Sequence, residues 1–67
     1  MVYRRIRDLR EDRDMTQKQM ADLLHCSQQV YSNYELGQRD IPIEVLIGLS
    51  RIHGVSIDYI LGVTDIK

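Results

Sequence analysis

The sequence is poor in the features that would support cross-links, membrane insertion or export. It contains one cysteine, Cys26, in 67 residues, so neither an internal disulfide nor a zinc quartet can be built. Its apolar runs are far shorter than the roughly 18 residues needed to cross a bilayer. The charged start MVYRRIRDLRED has no signal-peptide core. These absences predict a cytoplasmic protein. The length of 67 residues allows one small domain over residues 1–67, in which 62–67 form a short C-terminal tail.

The chain also lacks an excess of positive charge. Its formal net charge is -1 and its pI is about 6.0, whereas domains that bind nucleic acids are often strongly basic. The charges are unevenly distributed, however. Residues 1–39 carry seven basic and six acidic groups, and residues 40–67 carry two basic and four acidic groups. The positive potential therefore belongs to the first half of the chain.

No pattern of residues indicates catalysis. The sequence has no glycine-rich phosphate-binding loop, and both histidines fall at predicted helix ends. Cys26 has no predicted activating partner and is expected to fill a small apolar space in a turn. We therefore predict a protein that is not an enzyme and uses no metal, cofactor or small-molecule ligand.

The spacing of apolar residues predicts an all-α fold of five helices. Residues 3–13 form an amphipathic helix with Ile6, Leu9 and Arg10 on one stripe. Thr16 is a good N-cap for a second helix, and Gln19 occupies the capping-box position. We expect four side chains of this second helix to form its buried face: Met20, Ala21, Leu23 and Leu24.

A third helix follows after three residues. Ser27 offers a fresh N-cap, and the helix QQVYSNYE over 28–35 ends before Gly37. Two short helices joined in this way predict a helix-turn-helix. A fourth helix begins near Pro42 and ends at Gly54, and Ser56 caps a final short helix, IDYILG. Gly48 within the fourth helix costs about 1 kcal/mol relative to alanine.

The third helix concentrates amide side chains on one face. At about 100° per residue, with Tyr31 as the buried reference, Gln29 and Asn33 fall about 160° away on either side. Gln28 lies at the flank of the first turn, from which its side chain can reach past the helix end. Glutamine and asparagine can pair with adenine in the major groove, and Val30 could touch a thymine methyl group. The pattern favours a helix that reads DNA bases.

The sequence resembles the Cro/repressor-like helix-turn-helix family of bacteria and phages, also called the Xre family. The resemblance is carried by TQKQMA in the second helix, by the serine that opens the third, by YE with a glycine two residues on, and by the closing GVSIDYILG. The spacing of these motifs holds along nearly the whole chain. The resemblance implies a compact five-helix domain, double-stranded DNA as the partner, and a transcriptional regulator, expected to be a repressor.

The resemblance also implies roles for individual residues. Gln28, Gln29 and Asn33 match positions that read bases. Gln17 matches a position that contacts a DNA phosphate beside the positive end of the second helix. Four further residues match neighbours that touch base or backbone, or the loop that approaches phosphate: Ser27, Ser32, Gln38 and Arg39.

Few cations are available to neutralise phosphates. Lys18 and Arg39 are the main candidates, with Arg13 or Arg5 as further ones. We therefore expect each protomer to neutralise about two to four phosphates.

Two structural roles follow from the same resemblance. Arg10 and Glu35 match a buried ion pair that ties the first helix to the third. The family dimerises near its last helix, and a homodimer on a pseudo-palindromic operator would place two recognition helices about 34 Å apart. Of the apolar C-terminal residues, Ile57 and Leu61 are the better core candidates. Three others are the better interface candidates: Ile60, Val63 and Ile66.

The sequence departs from the family pattern at three positions. His25 stands where glycine is usual, so a non-glycine residue is expected to hold a positive φ. Pro42 lies one place later than in the commonest pattern, and His53 replaces an aliphatic or aromatic residue and is expected to be partly buried.

One alternative function is open at this point. A protein-binding module, antitoxin-like or a scaffold, would keep the same fold, and the near-neutral charge favours it. The amide cluster argues against it, because interface cores are usually richer in aromatic residues, methionine and arginine. The chain also ends soon after the fifth helix, from which we expect no sensor domain.

Overall fold

The computed structural model describes residues 2–67 and contains five helices, with no strand in that range. In chain order they are α1 (Arg4–Asp12), α2 (Gln17–Leu23), α3 (Gln28–Leu36), α4 (Ile43–His53) and α5 (Ile57–Leu61). Helix α1 packs against α3 and α5, α2 packs against α3, and α4 packs against α5. The predicted all-α fold is confirmed.

Helix ends are set by local hydrogen bonds. The predicted serine cap of α5 is confirmed, because the Ser56 hydroxyl accepts a hydrogen bond from the Tyr59 backbone N–H at 3.0 Å. Helix α1 ends in a way that the sequence pattern did not indicate. Asp14 adopts a φ of 55°, and the backbone N–H of Met15 donates to the Arg10 carbonyl at 3.2 Å. This reversal sends the chain back toward α2.

Nine buried apolar residues within the described range 2–67 form the core, which joins all five helices. Tyr31, Ile6 and Leu49 are fully buried at its centre. Leu23 was expected in this core but is 52% exposed, so that prediction is wrong. At about 100° per residue, the buried arc of α2 runs from Met20 past Leu24 to Ala21, and Leu23 lies roughly 110° from its centre.

The prediction that Ile60 faces a partner subunit is also wrong, because its side chain is 1% exposed and belongs to the core. Ile57 and Leu61, expected to be better buried, are only half-buried. Helix α5 packs against both α1 and α4, and Ile60 is the side chain that fills the space there. The first four helices alone do not complete the core.

The glycine within α4 has a packing reason. A Cβ atom at Gly48 would lie 3.0 Å from Cδ2 of Leu24, which is tighter than ordinary van der Waals contact. Glycine therefore lets α4 approach the segment that joins α2 to α3. Its local cost of about 1 kcal/mol is offset by this close packing.

His53, at the end of α4, is half-buried as expected. Neither ring nitrogen has a hydrogen-bond partner among the described residues. Burial lowers the pKa of His53, and the nearby Arg13 charge lowers it further. Both effects disfavour the protonated ring in the folded protein.

The C-terminal residues are tied to α1. The Arg5 guanidinium donates hydrogen bonds to the backbone carbonyls of Tyr59, at 2.7 Å, and Thr64. It also reaches the Asp65 carboxylate at 2.7 Å, and its Cζ atom lies 4.1 Å from the Tyr59 ring centroid. The carbonyl of Lys67 accepts a hydrogen bond from the Ser56 backbone N–H at 3.0 Å. Residues 62–67 therefore lie back against the helical domain.

Candidate nucleic-acid interface

The first helix of the motif, α2, begins with the predicted capping box. The Thr16 hydroxyl accepts a hydrogen bond from the Gln19 backbone N–H at 3.1 Å, and the Gln19 side-chain oxygen accepts one from the Thr16 backbone N–H at 2.8 Å. Two otherwise unpaired donors at the helix start are thereby satisfied. This cap fixes where α2 begins and therefore the position from which the side chain of its first residue, Gln17, extends.

The turn between α2 and α3 depends on a non-glycine residue with positive φ, as expected. His25 has a φ of 58°. The backbone N–H of Cys26 donates to the Ala21 carbonyl at 3.0 Å, and that of His25 donates to the Asp22 carbonyl at 3.3 Å. These are the two bonds of a Schellman ending. Four residues, 24–27, separate the helices, one more than the sequence pattern predicted, because α2 ends at Leu23.

The second helix of the motif, α3, starts and stops where its cap residues predict. The Ser27 hydroxyl accepts a hydrogen bond from the Val30 backbone N–H at 3.1 Å. The helix runs one residue further than expected, to Leu36, and ends at Gly37, whose φ is 74°. The backbone N–H of Gln38 then donates to the Asn33 carbonyl at 3.0 Å, which directs the following loop away from the helix axis.

The inner face of α3 anchors the helix in the core. Tyr31 is fully buried and Tyr34 is almost so. Their rings meet edge to face, at 90° with centroids 6.5 Å apart, an arrangement that aromatic pairs favour. The helix is therefore held by large side chains on one side, which leaves the other side free to contact a partner.

The outer face of α3 presents the amide side chains. Gln28 and Gln29 are exposed, and Ser32 and Asn33 are half-buried. The Gln29 side-chain nitrogen donates a hydrogen bond to the Asn33 side-chain oxygen at 3.2 Å, across one helical turn. Amide groups offer both donors and acceptors, so this face can match groups on a base edge. Val30 is partly buried against the core, so only part of its side chain remains available.

The amides of α3 lie beside the start of α2. Gln17, Gln28, Gln29 and Ser32 line one shallow depression in the surface. The structure thus brings together two predicted base-reading residues, the predicted phosphate-contacting Gln17 and Ser32. Four other residues of the predicted set are exposed outside this depression: Lys18, Ser27, Gln38 and Arg39.

Behind this surface, Arg10 and Glu35 form a buried ion pair. Arg10 Nε lies 2.7 Å from Glu35 Oε2, and Arg10 Nη2 lies 3.2 Å from Oε1. The two side chains are only 12% and 4% exposed. Arg10 Nη1 also donates to the Met15 carbonyl at 2.8 Å. The pair therefore fixes α1 to α3 and to the segment before α2.

The same carboxylate binds a third group that sequence reasoning did not anticipate. Gln17 Nε2 donates a hydrogen bond to Glu35 Oε1 at 3.1 Å. No spacing rule indicates this contact, because the two residues are 18 positions apart in different helices. In the free protein, the side chain expected to contact DNA is therefore held by a buried acid.

The environment of Glu35 favours its ionised form. Burial by itself raises the pKa of Glu35, but hydrogen bonds from Arg10 and Gln17, with the nearby Tyr31 hydroxyl, bring the pKa below its ordinary value. Burial and the adjacent Glu35 carboxylate raise the pKa of Tyr31 well above its usual range. Glu35 is thus ionised and Tyr31 neutral near neutral pH.

Few positive charges are free near the amide face. Lys18 is exposed, but its Nζ lies 3.7 Å from an Asp22 carboxylate oxygen. Arg39 is exposed in the loop after α3. Arg5, one of the further candidates, has its guanidinium engaged by Tyr59, Thr64 and Asp65, so a phosphate contact from Arg5 would have to break these bonds.

Two of the three residues predicted at a dimer interface are on the surface. Val63 is 73% exposed and Ile66 is 80% exposed, both in the C-terminal segment after α5. Within residues 2–67, no group of three or more acidic, cysteine or histidine side chains is placed to hold a metal ion. No helix in that range is long and apolar enough to cross a membrane.

Comparison with known proteins gives consistent matches. The helix-turn-helix profile HTH_3 matches residues 6–60. The chain is 37% identical over 65 residues to the uncharacterized HTH-type transcriptional regulator YobD of Bacillus subtilis, covering 97% of this chain and 58% of YobD. It is 35% identical over 64 residues to the HTH-type transcriptional regulator ImmR of the same organism, covering 96% of this chain and 50% of ImmR. The chain thus spans about half the length of these curated relatives.

Proposed function

The chain belongs to the Cro/C1-type helix-turn-helix family, and on that premise we propose that it is a sequence-specific DNA-binding transcriptional regulator that acts as a repressor. Its curated relatives are named as HTH-type transcriptional regulators, which supports the regulatory role. Such a protein works where the DNA is, which supports the expected cytoplasmic location.

The observation that carries the proposal is the exposed amide face of α3. A rigid helix with buried tyrosines on one side and Gln28, Gln29 and Asn33 on the other fits the major groove, which is wide enough to admit a helix. Each amide can offer one donor and one acceptor to adenine. A protein-protein interface would instead favour aromatic and methionine side chains at its centre. The residues that line the depression beside α3 include no aromatic residue and no methionine.

Contacts to the sugar-phosphate backbone are assigned to residues around this face. Lys18 and Arg39 are the charged members of the set. Uncharged donors complete it, and such contacts set the position of a protein on the duplex without reading sequence. The uncharged members are Gln17, Ser27, Ser32 and Gln38.

The proposal includes a two-fold dimer. One α3 helix of nine residues touches only a few base pairs, too few to select a site among those of a genome. Val63 and Ile66 supply exposed apolar surface for a self-complementary contact. A contact there is expected to place two α3 helices about 34 Å apart, in successive major grooves.

Selection of bound sites from random duplexes tests the proposal. For the wild type we expect a pseudo-palindromic motif with two half-sites. Gln28→Ala should lose preference at one or two base pairs, since a good bidentate contact contributes about 1 to 3 kcal/mol. Arg39→Ala is the matched control and should weaken all sequences alike. Selection of no motif by the wild type, or an unchanged preference profile for Gln28→Ala, would contradict base reading by this face.

Sedimentation of the protein with and without the selected duplex tests the dimer. We expect two protomers per duplex at saturation, and a lower occupancy for Val63→Asp at the same concentration. Saturation at one protomer, with no second binding event, would refute the dimer while leaving the base-reading proposal intact.

A further inference from the structure

The contact between Gln17 and Glu35 gives the buried ion pair a second role. We infer that Glu35 is a positioning residue that orients the Gln17 amide toward a DNA phosphate. The inference rests on the proposed function, because it assumes that Gln17 contacts the DNA backbone. It goes further by assigning a role in DNA binding to a buried side chain.

The chemistry of the contact fixes the orientation of the amide. An ionised carboxylate can only accept hydrogen bonds, and the Glu35 pKa is held below its ordinary value. The nitrogen of the Gln17 amide, not its oxygen, must therefore face Glu35, as it does at 3.1 Å. One N–H of Gln17 is used in this bond. The other N–H remains to donate to an acceptor, and a phosphate oxygen is such an acceptor.

Arg10 makes this arrangement compatible with DNA. A bare carboxylate behind a phosphate-binding side chain would repel the phosphate. Here the Arg10 guanidinium contacts both oxygens of Glu35, at 2.7 and 3.2 Å, and neutralises its charge. The pair therefore presents an acceptor to Gln17 without a net negative charge. Because Glu35 is 4% exposed, water competes little for the same oxygen.

Glu35→Gln is an isosteric change that tests the positioning role. Glu35→Gln replaces one carboxylate oxygen with an NH₂ group, which cannot accept a hydrogen bond. The Arg10 Nε contact is the shortest of those to Glu35, at 2.7 Å, so we expect the remaining oxygen to keep it and the NH₂ group to take the position of Oε1, the oxygen that accepts from Gln17. The Gln17 amide is then free to rotate. Tyr31→Phe is the matched control, because it removes a buried hydroxyl beside the same carboxylate without removing an acceptor for Gln17.

The test replaces the phosphates of a bound duplex, one at a time, with uncharged methylphosphonates and measures affinity. At one position, replacement should lower the affinity of the wild type about 10-fold and leave the affinity of Gln17→Ala unchanged. The phosphate at that position is the one that Gln17 contacts. At that position we expect the loss of affinity caused by the methylphosphonate to be about 3- to 10-fold smaller in Glu35→Gln than in the wild type, and unchanged in Tyr31→Phe. The losses of affinity at other positions should be the same in all variants. A variant that had lost its structure generally would instead change the losses at every position.

The outcomes distinguish the two assumptions. If no position depends on Gln17, the proposed phosphate contact is wrong and the inference fails with it. If one position depends on Gln17 but keeps its full loss of affinity in folded Glu35→Gln, only the positioning role is overturned. Hydrogen exchange of side-chain amides in the wild type provides a test without any variant. The Gln17 NH₂ should exchange more slowly than the exposed Gln28 NH₂, and equal rates would overturn the inference.

Discussion

Arg5 and Arg10 both lie on α1, and each fixes this helix to a later part of the chain. Arg10 binds Glu35 of α3 in a pair whose side chains are 12% and 4% exposed. Arg5 binds two backbone carbonyls and Asp65, whose side chain is 97% exposed. The two guanidiniums thus make similar short contacts in very different solvent environments. From this comparison we expect burial of the partner, rather than the length of the contact, to decide how much each arginine contributes to the free energy of unfolding.

The largest expected effect is at the buried pair. Removing Glu35 leaves the Arg10 charge buried without its partner, which typically costs about 3 to 5 kcal/mol, although an intact buried pair often adds little net stability. In a domain of this size such a loss approaches the whole free energy of unfolding. We therefore expect thermal melts to show that Glu35→Ala and Arg10→Ala are already largely unfolded at 25 °C. Melts that match the wild type would show that the pair is dispensable.

The next effect is at Arg5. Arg5→Ala removes the Arg5 hydrogen bonds to the Thr64 carbonyl and to the Tyr59 carbonyl, which keeps only the Gly62 backbone N–H at 3.1 Å. It also removes the stacking on the Tyr59 ring. The expected cost is about 1 to 3 kcal/mol. Chemical denaturation measures it, and Asp65→Ala is the matched control. Because an exposed ion pair contributes roughly 0 to 1 kcal/mol, Asp65→Ala should stay close to the wild type. Equal losses for the two variants would contradict the distinction between carbonyl and carboxylate contacts.

Low pH should destabilise the folded protein by protonating Glu35, because protonation removes the negative charge that pairs with Arg10. The folded-state pKa of Glu35 is lowered from 4.5, so its contribution is fully present above pH 4.5 and is lost as the pH falls through the folded value. His53 acts at higher pH. Its folded-state pKa is lowered from 6.5, so stability begins to fall as the pH drops below 6.5.

Denaturation at a series of pH values separates these two contributions. We expect His53→Gln to flatten the decline that begins at pH 6.5 and to leave the decline below pH 4.5 in place. Loss of the lower decline in His53→Gln would show that the acid sensitivity does not come from Glu35.

The same contrast shows what the sequence could predict. Helix ends depend on nearby residues, so the caps at Thr16, Ser27 and Ser56 followed from local pattern. The positive φ of His25 followed from the family resemblance, because glycine is usual at that position. The Arg10–Glu35 pair followed from the family resemblance. The Arg5 contacts join residues 54 to 60 positions apart, and no periodicity indicates them.

Burial at the edges of short helices was the other feature that the sequence could not settle. Leu23 and Ile60 lie in helices of seven and five residues, too short for the apolar pattern to define a single inward direction. Their exposure depends on how neighbouring helices cover them. The Gln17–Glu35 contact likewise exists only because the turn at His25 brings the start of α2 beside the end of α3.

We propose that amides, rather than many cations, hold and read the DNA. The salt dependence of affinity for the selected duplex tests this proposal. With Lys18 and Arg39 as the main cations and Arg5 engaged elsewhere, each protomer should neutralise about two to four phosphates, with a slope of about -0.9 per phosphate in a plot of log affinity against log salt. Gln28→Ala should lower affinity without changing the slope. Release of about ten or more ions per protomer would contradict the account, because binding would then depend on cations that the amide face does not contain.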